Sequence, residues 1–293
     1  GWWRSQASAL YMAGYTADDR GDARRALALF TRELPVERLR GDRHSEAATL
    51  DNIASAQKSL SDYAAARKSY EASLALKETL PGKIELAITL ANLGELLRRV
   101  GEYPQALAHL ERALALEEEA GARAEQATTL SILGGLYQTK GEFAQALEFH
   151  TRALAMKEEL GDRRGISVSL GNIGTLYHTL GRLDESISML DKALAMKEEL
   201  GDRRGEAVVL GNIALVHHSR GDHGTSLEFQ RRALEIHEEL GDRAGVARQL
   251  GNMANNYKEL GERDKAFEFE LRALAIDEEI GDLKAALVLE FCL

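Results

Sequence analysis

Five asparagines recur at one phase of a 40-residue period: Asn52, Asn92, Asn172, Asn212 and Asn252, with Met12 and Ile132 at the two remaining equivalent places. A primary amide offers both a donor and an acceptor, which suits hydrogen bonding to the backbone of an extended peptide whatever its side chains. Asparagine is a mediocre helix former, so its return in mid-helix needs a reason. Histidines are the second group with chemical potential: His178 and His218 lie one period apart, and His217 and His223 lie close in sequence. Glycine-rich Gly171-Asn-Ile-Gly174 and Gly134-Gly135 form the third, as phosphate-loop candidates. Which of these can act depends on the elements that hold them.

Written in rows of 40, the chain aligns with itself seven times and leaves 13 residues over. The rows are 1–40, 41–80, 81–120, 121–160, 161–200, 201–240 and 241–280, with 281–293 beginning an eighth. The register does not slip: Leu10, Leu50, Leu90, Leu130, Leu170, Leu210 and Leu250 share one position, and Leu34, Leu74, Leu114, Leu154, Leu194, Leu234 and Leu274 another. Inside a row the apolar residues follow helical spacing, as in Leu170, Ile173 and Tyr177, then Ile187, Leu190 and Leu194. The spacing predicts two helices per row, A over roughly positions 4 to 20 and B over roughly 24 to 39. Gly161, Gly201 and Gly241 suit the left-handed residue that ends a helix, and Asp162, Asp202 and Asp242 can N-cap the next. A second glycine series, Gly21, Gly101, Gly141, Gly181, Gly221 and Gly261, marks the turn inside each row.

Small residues occupy the places where two helices must approach, notably Gly14, Ala54, Gly94, Gly134, Gly174, Ala214 and Ala254. Each helix pair carries apolar side chains on two faces and cannot bury both alone, so neighbours must stack into a solenoid. An all-α fold follows. Stacked equivalents lie about 10 Å apart, too far for His178 and His218 to share one ion, and no cysteine or carboxylate partner accompanies them. The glycine pairs sit inside helix A with no preceding strand, so they read as packing glycines. No nucleophile, base and orienting group recur together; neither enzymatic activity nor a cofactor or metal is expected.

Leu133-Gly134, Tyr137, Ala146 and Ala153 show most fully a pattern that resembles the tetratricopeptide repeat, and the resemblance extends over the whole chain. The 40-residue unit, with a long helix B and no closing proline, is similar to the repeats of Pins-type adaptors, kinesin light chains and many bacterial signalling proteins. The first two rows depart most: Ala17 and Gln57 replace the tyrosine, and Ser61 the turn glycine. The resemblance implies a right-handed superhelix whose concave wall is made of helices A.

On that wall, positions 8, 12, 15 and 19 form one stripe by helical spacing. The asparagines would then form a ladder, similar to the one in O-GlcNAc transferase, for an extended segment of a partner. The competing reading has them bridge neighbouring helices or hold water. One repeat step matches roughly three residues of extended chain, so Asn172, Asn212 and Asn252 would span about six or seven. Their neighbours Thr175, Leu215, Asn255, Thr179 and Ser219, with His178 and His218, would supply specificity in a nearly uncharged stretch. Arg98 and Arg99, beside Glu95, are candidates for an acidic partner residue, with simple solvation as the alternative. The lysine with which chaperone adaptors of this family clamp a C-terminal carboxylate has no counterpart, since its position holds Tyr11, Asp51, Ala91, Ser131, Gly171, Gly211 and Gly251.

Composition bounds the rest. With 37 Lys+Arg against 47 Asp+Glu the formal charge is −10, which argues against nucleic acid or an anionic membrane as the partner. The first row sums to +2 and the remainder to −12, so an acidic partner would dock at the N-terminal end. One cysteine, Cys292, and no apolar run of spanning length point to a reducing, cytoplasmic setting. Glutamate runs such as Glu198-Glu199 and Glu238-Glu239 are expected to face Arg203, Arg204 and their equivalents in the following rows. Trp2 and Trp3, together with the apolar residues of 281–293, lead to the expectation of a piece excised from a longer chain. Three functions fit: a scaffold binding a partner's extended segment, a regulatory array acting on an attached effector domain, or a spacer that self-associates end to end through uncapped termini.

Overall fold

A computed structural model describes the backbone of residues 2–281 and the side chains of residues 5–18 and 20–281. Among the described residues there are fourteen helices and no strand. They are α1 (Trp2–Asp19), α2 (Ala23–Arg40), α3 (Arg43–Ser59), α4 (Tyr63–Lys77), α5 (Lys83–Arg99), α6 (Tyr103–Ala120), α7 (Arg123–Thr139), α8 (Phe143–Leu160), α9 (Arg163–Thr179), α10 (Leu183–Glu199), α11 (Arg203–Arg220), α12 (His223–Glu239), α13 (Arg243–Glu259) and α14 (Arg263–Ile280). The odd-numbered helices are the A helices of the seven rows, and their bounds lie within two residues or so of those the spacing predicts. The helix expected from 281–293, Cys292 and the environment of Trp2 and Trp3 lie outside the described residues.

The helix ends follow from the punctuation. Gly161 adopts φ 66°, a left-handed conformation that costs an L side chain energy but costs glycine nothing. Two residues later the chain is helical again, with the Asp162 carboxylate accepting the backbone N–H of Gly165 at 2.9 Å. Asp202 and Asp242 do the same for Gly205 and Gly245.

The chain divides into two compact units, Gly1–Met156 and Lys157–Leu293. In each, consecutive helices pack in turn, and A helices of successive rows also touch: α5 with α7 in the first unit, α9 with α11 in the second. Core packing of the first unit centres on fully buried Tyr70, Leu90, Leu96, Leu110 and Leu136. In the second, a Cβ added to Gly174 would lie 2.7 Å from Cγ of Leu190, so α9 and α10 approach to a distance that only a missing side chain allows.

Between helix pairs runs a polar seam that the apolar period conceals. Position 37 of helix B is buried and titratable in row after row: Glu37, Lys77, Glu117, Lys157, Lys197 and His237. Glu37 is held by Arg40 of its own helix; from the second row on, partners come from the start of the next A helix, with Asp51 of its own row added for Lys77. In the first unit, Lys77 Nζ donates to Thr89 Oγ1 at 2.7 Å, and Thr129 Oγ1 donates to Glu117 at 2.8 Å. In the second, Lys157 reaches Ser169 at 3.0 Å, Lys197 reaches the N-cap Asp202 at 2.7 Å, and His237 reaches Asp242 at 2.9 Å. A buried charge is tolerated only when paired, so this seam fixes the register of one helix pair on the next.

The exposed arginines differ from expectation. Arg203 pairs with Glu239 at 2.6 Å and Arg163 with Glu199, each within its own row. Antiparallel helices A and B place the start of one beside the end of the other, which brings positions 3 and 39 together.

Candidate functional site

Helix A presents one uncovered stripe, because its other faces pack on helix B and on the neighbouring pair. Position 8 is exposed, positions 12 and 15 are partly or fully exposed, and position 19 is exposed in the second to seventh rows. In the second unit the stripe holds Asn172 on α9, Asn212 on α11 and Asn252 on α13, all half-buried. Asn52 and Asn92 occupy the same place on α3 and α5 of the first unit, also half-buried. None of the five side-chain amides has a hydrogen-bond partner among the described residues. Their donors and acceptors are therefore not committed to bridging the helices.

Bridging falls to position 18 instead. His178 Nε2 lies 2.7 Å from Ser219 Oγ, linking α9 to α11, and His218 Nδ1 lies 2.9 Å from Asn256 Oδ1, linking α11 to α13. Burial lowers the pKa of His178 and favours its neutral form. In the first unit Arg98 donates to Thr139 Oγ1 at 3.1 Å, linking α5 to α7. Arg98 and Arg99 also both bind Glu95, at 2.7 and 2.9 Å. Burial pushes the Glu95 carboxyl up, but the bonds and charges of the two arginines outweigh it and hold it below the usual range. One of the two positive charges is thus neutralised in place.

Thr175 and Thr179 return their hydroxyls to backbone carbonyls of their own helix, Asn172 O at 2.8 Å and Thr175 O at 3.0 Å. They present methyl groups as much as polar ones. Leu215 and Asn255 are exposed on the stripe. Position 8, which spacing already puts on the stripe, adds contact residues not singled out from sequence: Val168 is 47% and Val208 46% exposed, and Ile88 is exposed too. Each lies four residues before an asparagine, so amide and aliphatic groups alternate along the stripe. Their spacing was visible in sequence; their exposure was not.

Asn256 is the other residue the sequence hides. It is fully buried, one place beyond Asn255, and its Nδ2 donates to Ser226 Oγ and Gln230 Oε1 at 2.9 and 3.0 Å while its Oδ1 faces both His218 and His223. Both histidines are held by this amide. Among the described residues no group of three His, Cys, Asp or Glu side chains is arranged to hold a metal ion.

The tetratricopeptide repeat family matches residues 85–159, 125–199, 165–239 and 205–279, and a second form of the repeat matches 47–80. The chain belongs to that family. No curated protein matches it in sequence. Among solved structures, this tetratricopeptide protein is similar to BtubC (BKLC) from P. vanneervenii, with 23% identity over 75% of this chain and 91% of that one and a TM-score of 0.64. It is similar to aspartyl phosphate phosphatase F from Bacillus subtilis, at 16% identity, covering 92% of this chain and 70% of that one with a TM-score of 0.73. The Rap conjugation gene regulator of plasmid pLS20, solved in complex with the Phr* peptide, aligns at 17% identity over 94% and 74% of the two chains with a TM-score of 0.70. Likeness at these identities establishes the tetratricopeptide solenoid fold.

Proposed function

We propose that this tetratricopeptide protein is a non-catalytic scaffold that holds an extended segment of a partner protein on the uncovered face of its A helices. The contacts are centred on Asn172, Asn212 and Asn252. One observation carries the reading: three equivalent amides, one per repeat, are half-exposed and uncommitted, while the neighbouring polar groups at position 18 have their partners inside the fold. Free amides recurring in step can pair with a regular backbone. The side chains beside them, Val168, Val208 and Leu215, suit aliphatic residues of that segment. The Rap regulator's complex with a peptide supports the same use of a related fold. At about 0.5 to 1.5 kcal/mol per hydrogen bond, the amides fix orientation, and the aliphatic contacts add selectivity.

No helix among the described residues is long and apolar enough to cross a membrane, and a cytoplasmic scaffold is the setting we infer. A peptide array probed with the chain identifies binding segments, and fluorescence anisotropy then compares the wild type with the Asn172→Ala, Asn212→Ala, Asn252→Ala triple variant. Loss of at least about tenfold in affinity with unchanged helicity is expected. Undiminished affinity of the triple variant would remove the asparagines from the mechanism.

A further inference from the structure

A cavity of about 570 Å³ opens in the first unit between the first half of α1, the C-terminal half of α2, the start of α3 and the turn from α4 to α5. Against a share of about 30 Å³ per water, it holds a long side chain with its flanking backbone, or a small organic molecule, and is much larger than an ion requires.

Its wall contains several charges, of which Glu37, Arg40 and Lys77 are matched within the fold. Glu37 accepts two hydrogen bonds from Arg40, at 2.7 and 2.8 Å. Lys77 gives its three donors to Asp51, Thr89 Oγ1 and the backbone carbonyl of Glu85. Glu33 differs: it is 3% exposed, it lines the cavity, and its Oε2 is buried without a hydrogen-bond partner among the described residues. A hydrogen bond from Thr49 and the attraction of Arg40 only partly offset the cost of withdrawing this carboxylate from water, and a donor cation arriving through the cavity would offset it further. The lining also includes Tyr11, Met12, Leu80 and Pro81, apolar surface suited to a hydrocarbon stem or the face of a guanidinium.

We infer that this cavity is a binding site for a guanidinium or ammonium group carried on an apolar stem, with Glu33 as its recognition carboxylate. The chemistry fits an arginine or lysine side chain of a peptide and equally a free alkylguanidine or alkylamine. Its lining includes Ser8, Met12 and Ala48 at stripe positions 8 and 12 but none of the asparagines, so the two sites are tested with different variants.

The test uses the full chain and calorimetric titration with three probes: an arginine residue blocked at both ends, the matching blocked citrulline, and agmatine. Citrulline keeps the shape of arginine and removes its charge. Binding of blocked arginine, agmatine or both, at least about tenfold tighter than citrulline, is the expected result. Blocked arginine binding identifies a side chain as the natural occupant; agmatine alone binding identifies a free small molecule. Glu33→Gln, isosteric and uncharged, should weaken the bound probe by at least about tenfold while the helical signal is unchanged. Met12→Lys, at an exposed rim position, should weaken it as well by offering a tethered ammonium to the same carboxylate. Equal affinity for citrulline, an unaffected Glu33→Gln variant, or no binding of any probe would overturn the assignment.

Discussion

The Oδ1 atom of Asn256 on α13 lies 2.9 Å from Nδ1 of His218 on α11, and this contact joins the A helices of two successive repeats. Because Asn256 also donates to Ser226 and Gln230 on α12, a single buried amide ties three helices together. Truncation to alanine strips partners from groups that stay buried, so the loss exceeds that of one hydrogen bond. Asn256→Ala should cost about 2 to 4 kcal/mol in urea unfolding. Asn255→Ala, its exposed neighbour, should change stability by less than about 0.5 kcal/mol. Equal effects at the two positions would show that the network contributes little.

Two glycines of α9 should respond to alanine with opposite signs. A Cβ on Gly171 meets nothing within 4 Å, so Gly171→Ala gains helix propensity, about 0.5 to 1 kcal/mol. A Cβ on Gly174 would crowd Leu190 at 2.7 Å and the Ser186 carbonyl at 3.3 Å. Backbone cannot step aside as a side chain can, and Gly174→Ala should lose about 1 to 3 kcal/mol despite the same gain in propensity. Thermal melts of the two single variants give the comparison directly.

Ser61 stands where the six other rows place a left-handed glycine, and it takes φ 62° all the same. Tertiary packing of α3 on α4 imposes the turn, and the serine carries the strain. Replacement by glycine should stabilise the chain by about 0.5 to 1 kcal/mol, read from the urea midpoint. A lower midpoint would mean that the serine side chain contributes something the backbone angle does not reveal.

Burial, and after it the charge of Glu37, push the Glu33 carboxyl from its ordinary 4.5 up to about 7, against the smaller opposing effects of Thr49 and Arg40. With a raised folded-state value the native chain holds this proton longer than the unfolded chain does. Stability from this group is therefore greatest below pH 4.5 and declines as pH rises through about 7. Glu33→Gln should remove that decline. Allowing for solvent screening at the cavity mouth, the variant should be more stable than wild type at pH 8 by on the order of 1 to 3 kcal/mol, with the difference shrinking toward pH 4. A difference independent of pH would assign the effect to packing.

Periodicity alone determined the fourteen described helices and their pairing, because a 40-residue repeat of leucine, small-residue and glycine positions leaves one way to bury each helix pair. It also placed Asn172, Asn212 and Asn252 on one stripe, since spacing along a helix fixes direction around it. Freedom of those amides could not be read that way: whether a polar side chain is spent inside the fold depends on what the next helix brings near it. His178 and His218 look like stripe residues in sequence, yet Ser219 and Asn256 of the following repeat engage them. The buried seam of Lys77, Glu117, Lys197 and His237 was likewise invisible, because charged residues near a helix end are ordinarily solvated and only stacking against the next A helix buries these. Glu33 is the extreme case. Its row shows an ordinary helical glutamate, and only the convergence of four elements encloses it at the wall of a cavity.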